Sequence, residues 1–579
     1  MVTGMDMAGP DPRKALQTLH RLLVAGILGY ASTALAVDQA ADTAAAPAVT
    51  PEAYQNPEQQ GGQDPGATTG YKVVQGWTIT PRINATETYS DNMFLAPSGQ
   101  ETAGFITQLM PGINILGQGD RYNLNLDYAL QDLIYNNYGW QHTYYNQLNA
   151  TGNFELVKRT FFVDAGASIS QQPLTPIGPV SANGANLSGN VINTTTESIS
   201  PYLVHQFGTF ATAQARWTHV NSTFDYGGPN AGAYTSGVQG GYGTAGNFSS
   251  VANTADVFMA NGPDFNNLLW KVDYNNAESA FTGYPTITIS TSTLDLGYLL
   301  TPNFKLTSEV GYEHDNFFYF GAQPQGIFWN VGFGWAPSLR TKLEMTIGEQ
   351  FYGRTYSLNF SHRTRLTVWS ANYTQAVTTS ALQQSLPPSA TLDQLLLTQI
   401  PDATTRQQVI QQMLAALGPQ SSLYGLNVLT NQVFLSKTFQ LSSGITTPRN
   451  IVLLTAFDTK TDPLQQPSNN NSNDSIINNL LYQGGYLGFG PMDQVGFTLS
   501  WNNRITSLLS ANLSASVSKF NFPGQSLQEN MDYFTAGLSE QLSRKTVGTL
   551  SYRHQLMNAG QGGYSFTENA LIAGITLFF

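Results

Sequence analysis

The 579-residue chain contains no cysteine, so neither a disulfide framework nor a thiolate metal site is possible. Charge is scarce: Asp, Glu, Lys and Arg together make up 11% of residues, against about 25% in ordinary globular domains. Long apolar runs are missing too. The run 22–28 falls short of the roughly 18 consecutive apolar residues a helix needs to cross a bilayer, and no later stretch reaches that length. Helical spans are therefore excluded, which leaves a closed barrel as the only spanning form. There is no basic excess: 25 Lys and Arg against 37 Asp and Glu give a net charge of −12, which argues against nucleic acid as a partner. The seven histidines (His20, His142, His205, His219, His314, His362 and His554) show no metal-binding spacing, and no Lys-Ser/Thr follows the glycines of 61–66 as a phosphate loop requires.

Aromatic residues, by contrast, reach 12%, and there are 54 glycines. A disordered chain would lack those aromatics. With a mean hydropathy near zero, the composition suits strands that face lipid on one side and water on the other.

The chain opens with Arg13, Lys14 and Arg21 ahead of the apolar run 22–28, and Ala34 and Ala36 supply a small-x-small cleavage site, so 1–36 reads as a secretory signal peptide. From 37 to 75 the composition is Ala, Pro, Gln, Gly and Asp without a period, which predicts an unstructured periplasmic tail. At the other end Leu571, Ala573, Ile575, Leu577 and Phe579 share one face of an alternating strand. A terminal aromatic on such a strand looks like the signal read by barrel-assembly machinery. It makes that machinery and outer-membrane lipids the expected partners, in a Gram-negative outer membrane.

Alternation recurs along 76–579. Tyr122, Leu124, Leu126, Tyr128 and Leu130 oppose Arg121, Asn123, Asn125, Asp127 and Gln131; Val495, Phe497, Leu499 and Trp501 oppose Gln494, Thr498 and Ser500. Tight connections are expected at 117–120, 157–160, 207–209, 262–264, 301–303, 336–339, 363–365, 444–448, 504–506 and 543–545. Long ones are expected near 96–101, 136–143, 173–191, 227–246, 319–325, 381–429, 461–490, 523–529 and 559–565. The prediction is an all-β fold, one large antiparallel transmembrane barrel of about 22 strands (range ~18 to 22), with short periplasmic turns and long extracellular loops. That strand number implies a diameter of roughly 40 Å. Glu349 falls on an apolar parity, so it either lies near an interface or follows a bulge; 364–373 is ambiguous in the same way. Helical spacing of Val409, Ile410, Met413, Leu414 and Leu417 predicts a helix over 404–418 inside the longest loop. The N-terminal tail is too short to plug so wide a barrel, which makes this loop the candidate gate.

Several strings carry a resemblance: WTITPRI at 77–83, TYSDNMFL at 88–95, GYEHD at 311–315, WNVGFGWAPSLRT at 329–341 and FYGRTY at 351–356. With the barrel layout, 76–579 resembles the PEP-CTERM system-associated outer-membrane β-barrel family. The resemblance implies company with exosortase and exopolysaccharide loci, and so a polysaccharide and a periplasmic export partner as further partners. It implies no catalytic residue and no cofactor. Glu349 and the enlarged 381–429 loop depart from the usual pattern.

Parity places Arg121, Asp127, Arg216, Lys271, Asp273, Glu309, Glu313, Lys342 and Glu344 on the inner face. They neutralise one another across strands, line a pore, or do both, and their mixed signs argue against strong ion selectivity. Lys158, Arg159, Arg340, Arg363, Arg365, Arg449, Arg504, Arg544 and Lys545 gather at the tight-turn end. Two readings stand for them: pairing with inner-leaflet phosphates, or a ring that draws in an acidic polymer. Loop stretches 138–145, 469–474 and 481–486, rich in Tyr, Asn and Gln, suit sugar contact or an interfacial aromatic girdle. Ser551 and His554 lie three apart on a strand, hence on opposite faces, which counts against a lipase dyad. The expected function is non-enzymatic: a channel for exopolysaccharide export, with a polymer-retaining surface barrel as the alternative and a lipid-modifying enzyme behind it.

Overall fold

The computed structural model describes residues 76–136, 141–173, 179–181, 184–188, 190–225, 248–282, 285–317, 323–383, 433–464, 491–523, 528–560 and 565–579. The chain divides into two units, Met1–Val49 and Thr50–Phe579, and every described residue belongs to the second. The expected signal peptide, the tail, the 404–418 helix with its five apolar gate candidates, and the stretches 469–474 and 481–486 lie outside the described residues.

Alternation of apolar and polar residues builds strands, and here it builds 22 of them. They are β1 (Gly76–Ser90), β2 (Gly104–Gly119), β3 (Tyr122–Tyr135), β4 (Gln141–Val157), β5 (Phe161–Gln172) and β6 (Ile192–Phe207). Next come β7 (Ala211–Asp225), β8 (Phe248–Asn261), β9 (Leu268–Phe281), β10 (Ile287–Thr301), β11 (Phe304–Asp315) and β12 (Gln325–Ser338). β13 (Thr341–Gln350), β14 (Gly353–Arg363), β15 (Thr367–Thr378), β16 (Phe434–Thr446) and β17 (Asn450–Pro463) follow. β18 (Met492–Arg504), β19 (Leu509–Asn521), β20 (Gln528–Ser543), β21 (Thr546–Ala559) and β22 (Phe566–Phe578) complete the set. One short helix, α1 (Ser380–Gln383), follows β15.

Each strand pairs antiparallel with its sequence neighbours, and β1 pairs with β22, from Arg82↔Phe578 to Ser90↔Ala570. The sheet therefore closes without an edge. The backbone N–H of Phe579 donates to the Pro81 carbonyl at 3.0 Å and extends that seam by one residue.

At the end that holds Gly76 and Phe579, ten connections of two to six residues join the strands. In a membrane barrel such turns are periplasmic. The opposite, extracellular end carries the long connections along with shorter ones, two of which the sequence does not mark. β9 and β10 are joined by 282–286, and β13 and β14 by Phe351 and Tyr352 alone. Short connections carry no compositional stretch to mark them. β4 also starts at Gln141, inside the expected 136–143 loop, because His142 and Tyr144 already alternate with Thr143.

Glu349 needs no bulge. β13 runs in unbroken register from Thr341↔His362 to Gln350↔Gly353, and Glu349 stands outward opposite Arg354, one residue from the extracellular end of the strand.

Candidate functional site

The two faces of the sheet differ sharply. Outward positions hold Trp77, Ile79 and Ile83 on β1, Leu294, Leu296 and Tyr298 on β10, and Val331 and Trp335 on β12, all exposed. The same parity on β22 presents Leu571, Ile575 and Leu577. No water-soluble monomer leaves so continuous an apolar surface bare. Aromatics frame it: Trp77 stacks on Tyr122 at 5.6 Å near the periplasmic edge, and Tyr89 meets Phe105 at 5.2 Å near the outer edge. A closed sheet with an oily belt between aromatic girdles has one environment. The chain is an outer-membrane β-barrel.

The interior of this outer-membrane barrel is polar and uneven. Arg82 makes a bidentate pair with Asp127 at 2.7 and 2.6 Å. Arg216 bonds Asp164 at 2.8 Å and lies 3.9 Å over the Tyr202 ring. Lys271 reaches Asp273 at 3.0 Å, while Lys305 and Lys342 converge on Glu344 at 2.7 and 3.5 Å. Of the nine residues that parity places inside, Arg121 sits in the turn between β2 and β3 rather than on the wall. Arg82, Asp164, Asp256, Asp295, Lys305 and Asp315 share the wall without having been singled out. Alternation through their strands is the signal that marks them.

Pairing across strands leaves a remainder. Asp256, Asp295, Glu309, Glu313 and Asp315, on β8, β10 and β11, have no cation within 4 Å among the described residues. Asp295 and Glu309 face each other directly across the ladder. Asn330 donates to Glu309 at 3.1 Å, and the Phe351 N–H donates to Glu313 at 3.2 Å. The wall from β14 to β19 is different. Its inward side chains are mostly hydroxyls and amides, such as Ser357, Asn359, Ser370, Asn372, Thr438, Gln440, Thr498, Asn502 and Asn512, with Ile451, Leu453 and Phe457 of β17 among them, and no carboxylate joins them.

Towards the extracellular end the interior changes from open to packed. The segment after β1 and the residues 184–188 after β5 turn inward against the wall. Met93, Phe94, Ala185 and Leu187 bury themselves with Ile106, Leu133 and Tyr135; Leu95 packs on Met557 and Phe566. The Leu187 N–H donates to the Met93 carbonyl at 3.3 Å, and the Tyr135 hydroxyl donates to the Ala185 carbonyl at 2.8 Å.

At the centre of this packing is a buried ion pair. Arg553 on β21 and Glu568 on β22 are 2% and 0% exposed and bond at 2.7 and 3.1 Å. Asn186 links to both: its amide donates to Glu568 at 2.7 Å, and its carbonyl oxygen accepts from Arg553 at 3.0 Å. Ser90 donates to the same carboxylate at 2.8 Å. A buried charge must be paired and hydrogen-bonded to be tolerated, and here the inserted segment supplies part of that pairing. On a third side, α1 packs against β8 and β9, where the Thr379 and Ser279 hydroxyls lie 2.9 Å apart. The expected gate loop thus turns inward at its described beginning.

The turn-end cations are all exposed, and none forms an ion pair among the described residues. Ser551 and His554 stand on opposite faces of β21, with His554 held by Asn569 at 2.8 Å. His142 and Tyr144, expected on a loop, stand outward on β4, with His142 3.0 Å from Asp132.

No family model matches the chain, and no curated relative does either. Among solved structures the chain is similar to the siderophore receptor PirA from Acinetobacter baumannii, at 7% identity, with 87% of this chain and 81% of that chain covered and a TM-score of 0.42. It is also similar to the ferric-catecholate import receptor Fiu from E. coli K12 (10% identity, 86% and 81% covered, TM-score 0.43). A third is the FrpB iron transporter from Neisseria meningitidis (10% identity, 87% and 82% covered, TM-score 0.37). Likeness at this level bears on neither cargo nor partner.

Proposed function

We propose that this barrel is a conduit through which an exopolysaccharide crosses the outer membrane, in a system of the PEP-CTERM and exosortase type. One observation carries the reading: the ring is closed by β1 and β22 around a polar interior, so the fold encloses a hydrated path. The wall supplies shallow hydroxyl and amide contacts, and no covalent step is involved. The strings that carry the family resemblance support it by position. TYSDNMFL runs from the end of β1 into the inserted segment, and FYGRTY spans the β13–β14 connection at the outer mouth.

The packed outer mouth favours a second reading, a surface barrel that holds secreted polymer without passing it. Single-channel recording of the purified full chain in planar bilayers decides between them. Discrete current steps support the conduit, and a silent membrane under all voltages refutes it. A deletion strain that keeps normal surface polysaccharide would refute the cargo assignment.

A further inference from the structure

The turn-end cations do not form a ring. Between β12 and β21, five successive turns carry Arg340, then Arg363 and Arg365, Arg449, Arg504, and finally Arg544 with Lys545. All are exposed, and these turns hold no Asp or Glu. Past the β22–β1 seam the β2–β3 turn holds Asp120 with Arg121 and the β4–β5 turn holds Lys158 with Arg159, whereas the three successive turns 208–210, 262–267 and 302–303, joining β6 through β11, contain no Lys or Arg, and Asp264 stands among them.

Exposed apolar residues at the same level run all the way round, with Leu156, Phe207, Leu300, Leu339 and Leu542 as examples. The membrane edge is therefore uniform, whereas the charge is not. Phosphate anchoring to lipid calls for cations wherever the barrel meets the leaflet. A rim with a cation-free gap over β6 to β11 calls for a partner that meets it away from that gap, and the arc without any turn carboxylate runs from β12 to β21.

From this asymmetry we propose that the β12–β21 arc is a docking surface for a polyanionic polysaccharide on its way into the lumen. The inference rests on the conduit reading and adds the polymer's charge class and side of approach. Adjacent turns stand two strands apart, about 10 Å along the rim, close to one Debye length at physiological salt, so their fields overlap into a continuous positive edge. The wall above most of the arc, β14 to β19, carries no inward carboxylate, so an acidic chain drawn there meets hydroxyls and amides. The unpaired carboxylates Asp256, Asp295 and Glu309 sit above the cation-free turns and repel the polymer from that side.

The test measures binding of dextran sulfate and of neutral dextran to the full chain in detergent. Three proteins are compared: wild type, an arc variant (Arg340→Gln, Arg363→Gln, Arg365→Gln, Arg504→Gln and Arg544→Gln), and a control (Lys158→Gln with Arg159→Gln). Wild type is expected to bind dextran sulfate and not dextran, the arc variant about tenfold or more weakly, and the control within about twofold of wild type. Equal loss in arc variant and control, or equal binding of neutral dextran, overturns the proposal. So does unchanged dextran sulfate binding with loss of co-purified anionic phospholipid, which would assign the arc to the inner leaflet. If the arc variant fails to fold, Arg363→Gln with Arg365→Gln on one exposed turn carries the same comparison. Conductance of the same preparations separates the two readings: arc-dependent binding without current removes the conduit, and current without arc-dependent binding removes the docking surface alone.

Discussion

Arg553 and Glu568 hold each other inside the upper lumen with Asn186 and Ser90 completing their hydrogen bonds, and neither residue touches bulk water. Removing one partner leaves the other charged and buried. Arg553→Ala is therefore expected to lower unfolding stability by about 3–5 kcal/mol, whereas Arg553→Met combined with Glu568→Met keeps the volume and costs little. Urea titration of the folded barrel in detergent micelles measures both; equal losses in the two variants would show that packing, not charge pairing, holds this site. Gly348 makes a different demand at the same scale. A Cβ there would stand 2.0 Å from the Trp329 carbonyl oxygen and 2.0 Å from Asn330 Oδ1. Gly348→Ala is expected to cost about 1–3 kcal/mol by forcing β12 and β13 apart, and the same titration reads it. Tolerance without loss would mean that the two strands relax freely.

At the scale of elements, the segment 184–188 is the piece most directly tied to opening. It is held by Asn186 on the buried pair, by Leu187 in the apolar cluster, by one backbone bond to Met93 and by the Tyr135 hydroxyl on the Ala185 carbonyl. Asn186→Ala with Leu187→Ala removes two of these four ties and leaves the Arg553–Glu568 pair in place. Bilayer recordings should then show larger or more frequent openings than wild type. Unchanged currents would place the constriction elsewhere, for example where α1 meets β8 and β9. This segment was not legible in the sequence, and the reason is physical. Strands announce themselves by a period of two, which is how β3, β18 and the closing β22 were read with their faces correct. Residues 184–188 have no period, and their partners lie far off in sequence: Asn186 and Glu568 are 382 residues apart. The same blindness covers Phe351 and Tyr352, where a two-residue connection leaves nothing for composition to show. Parity did find the inner face of the charged strands, but it does not say which charge lies within reach of which.

For the whole molecule, the distribution of charge over the lumen has a consequence that sequence counting obscured. Mixed signs along the strands suggested a nearly neutral interior, yet the ion pairs consume the cations first. Arg82, Arg216, Lys305 and Lys342 each lie within reach of a carboxylate, and Lys271 is held by Asp273. What remains on the wall of β8, β10 and β11 is Asp256, Asp295, Glu309, Glu313 and Asp315, while the wall from β14 to β19 carries no inward carboxylate. A wide lumen with one acidic side attracts small cations over small anions without closing to either. Under a KCl gradient the reversal potential should fall on the cation-selective side, and Asp256→Asn with Asp295→Asn and Glu309→Gln should move it towards zero while conductance stays within about twofold, because the path's width is set by the ring and not by these side chains. A wild-type reversal potential at zero, or one that the triple variant leaves in place, would mean that ions travel along the uncharged wall and do not sense the acidic one. That outcome would also bear on the polymer, since a chain following β14 to β19 would then share its track with the ions.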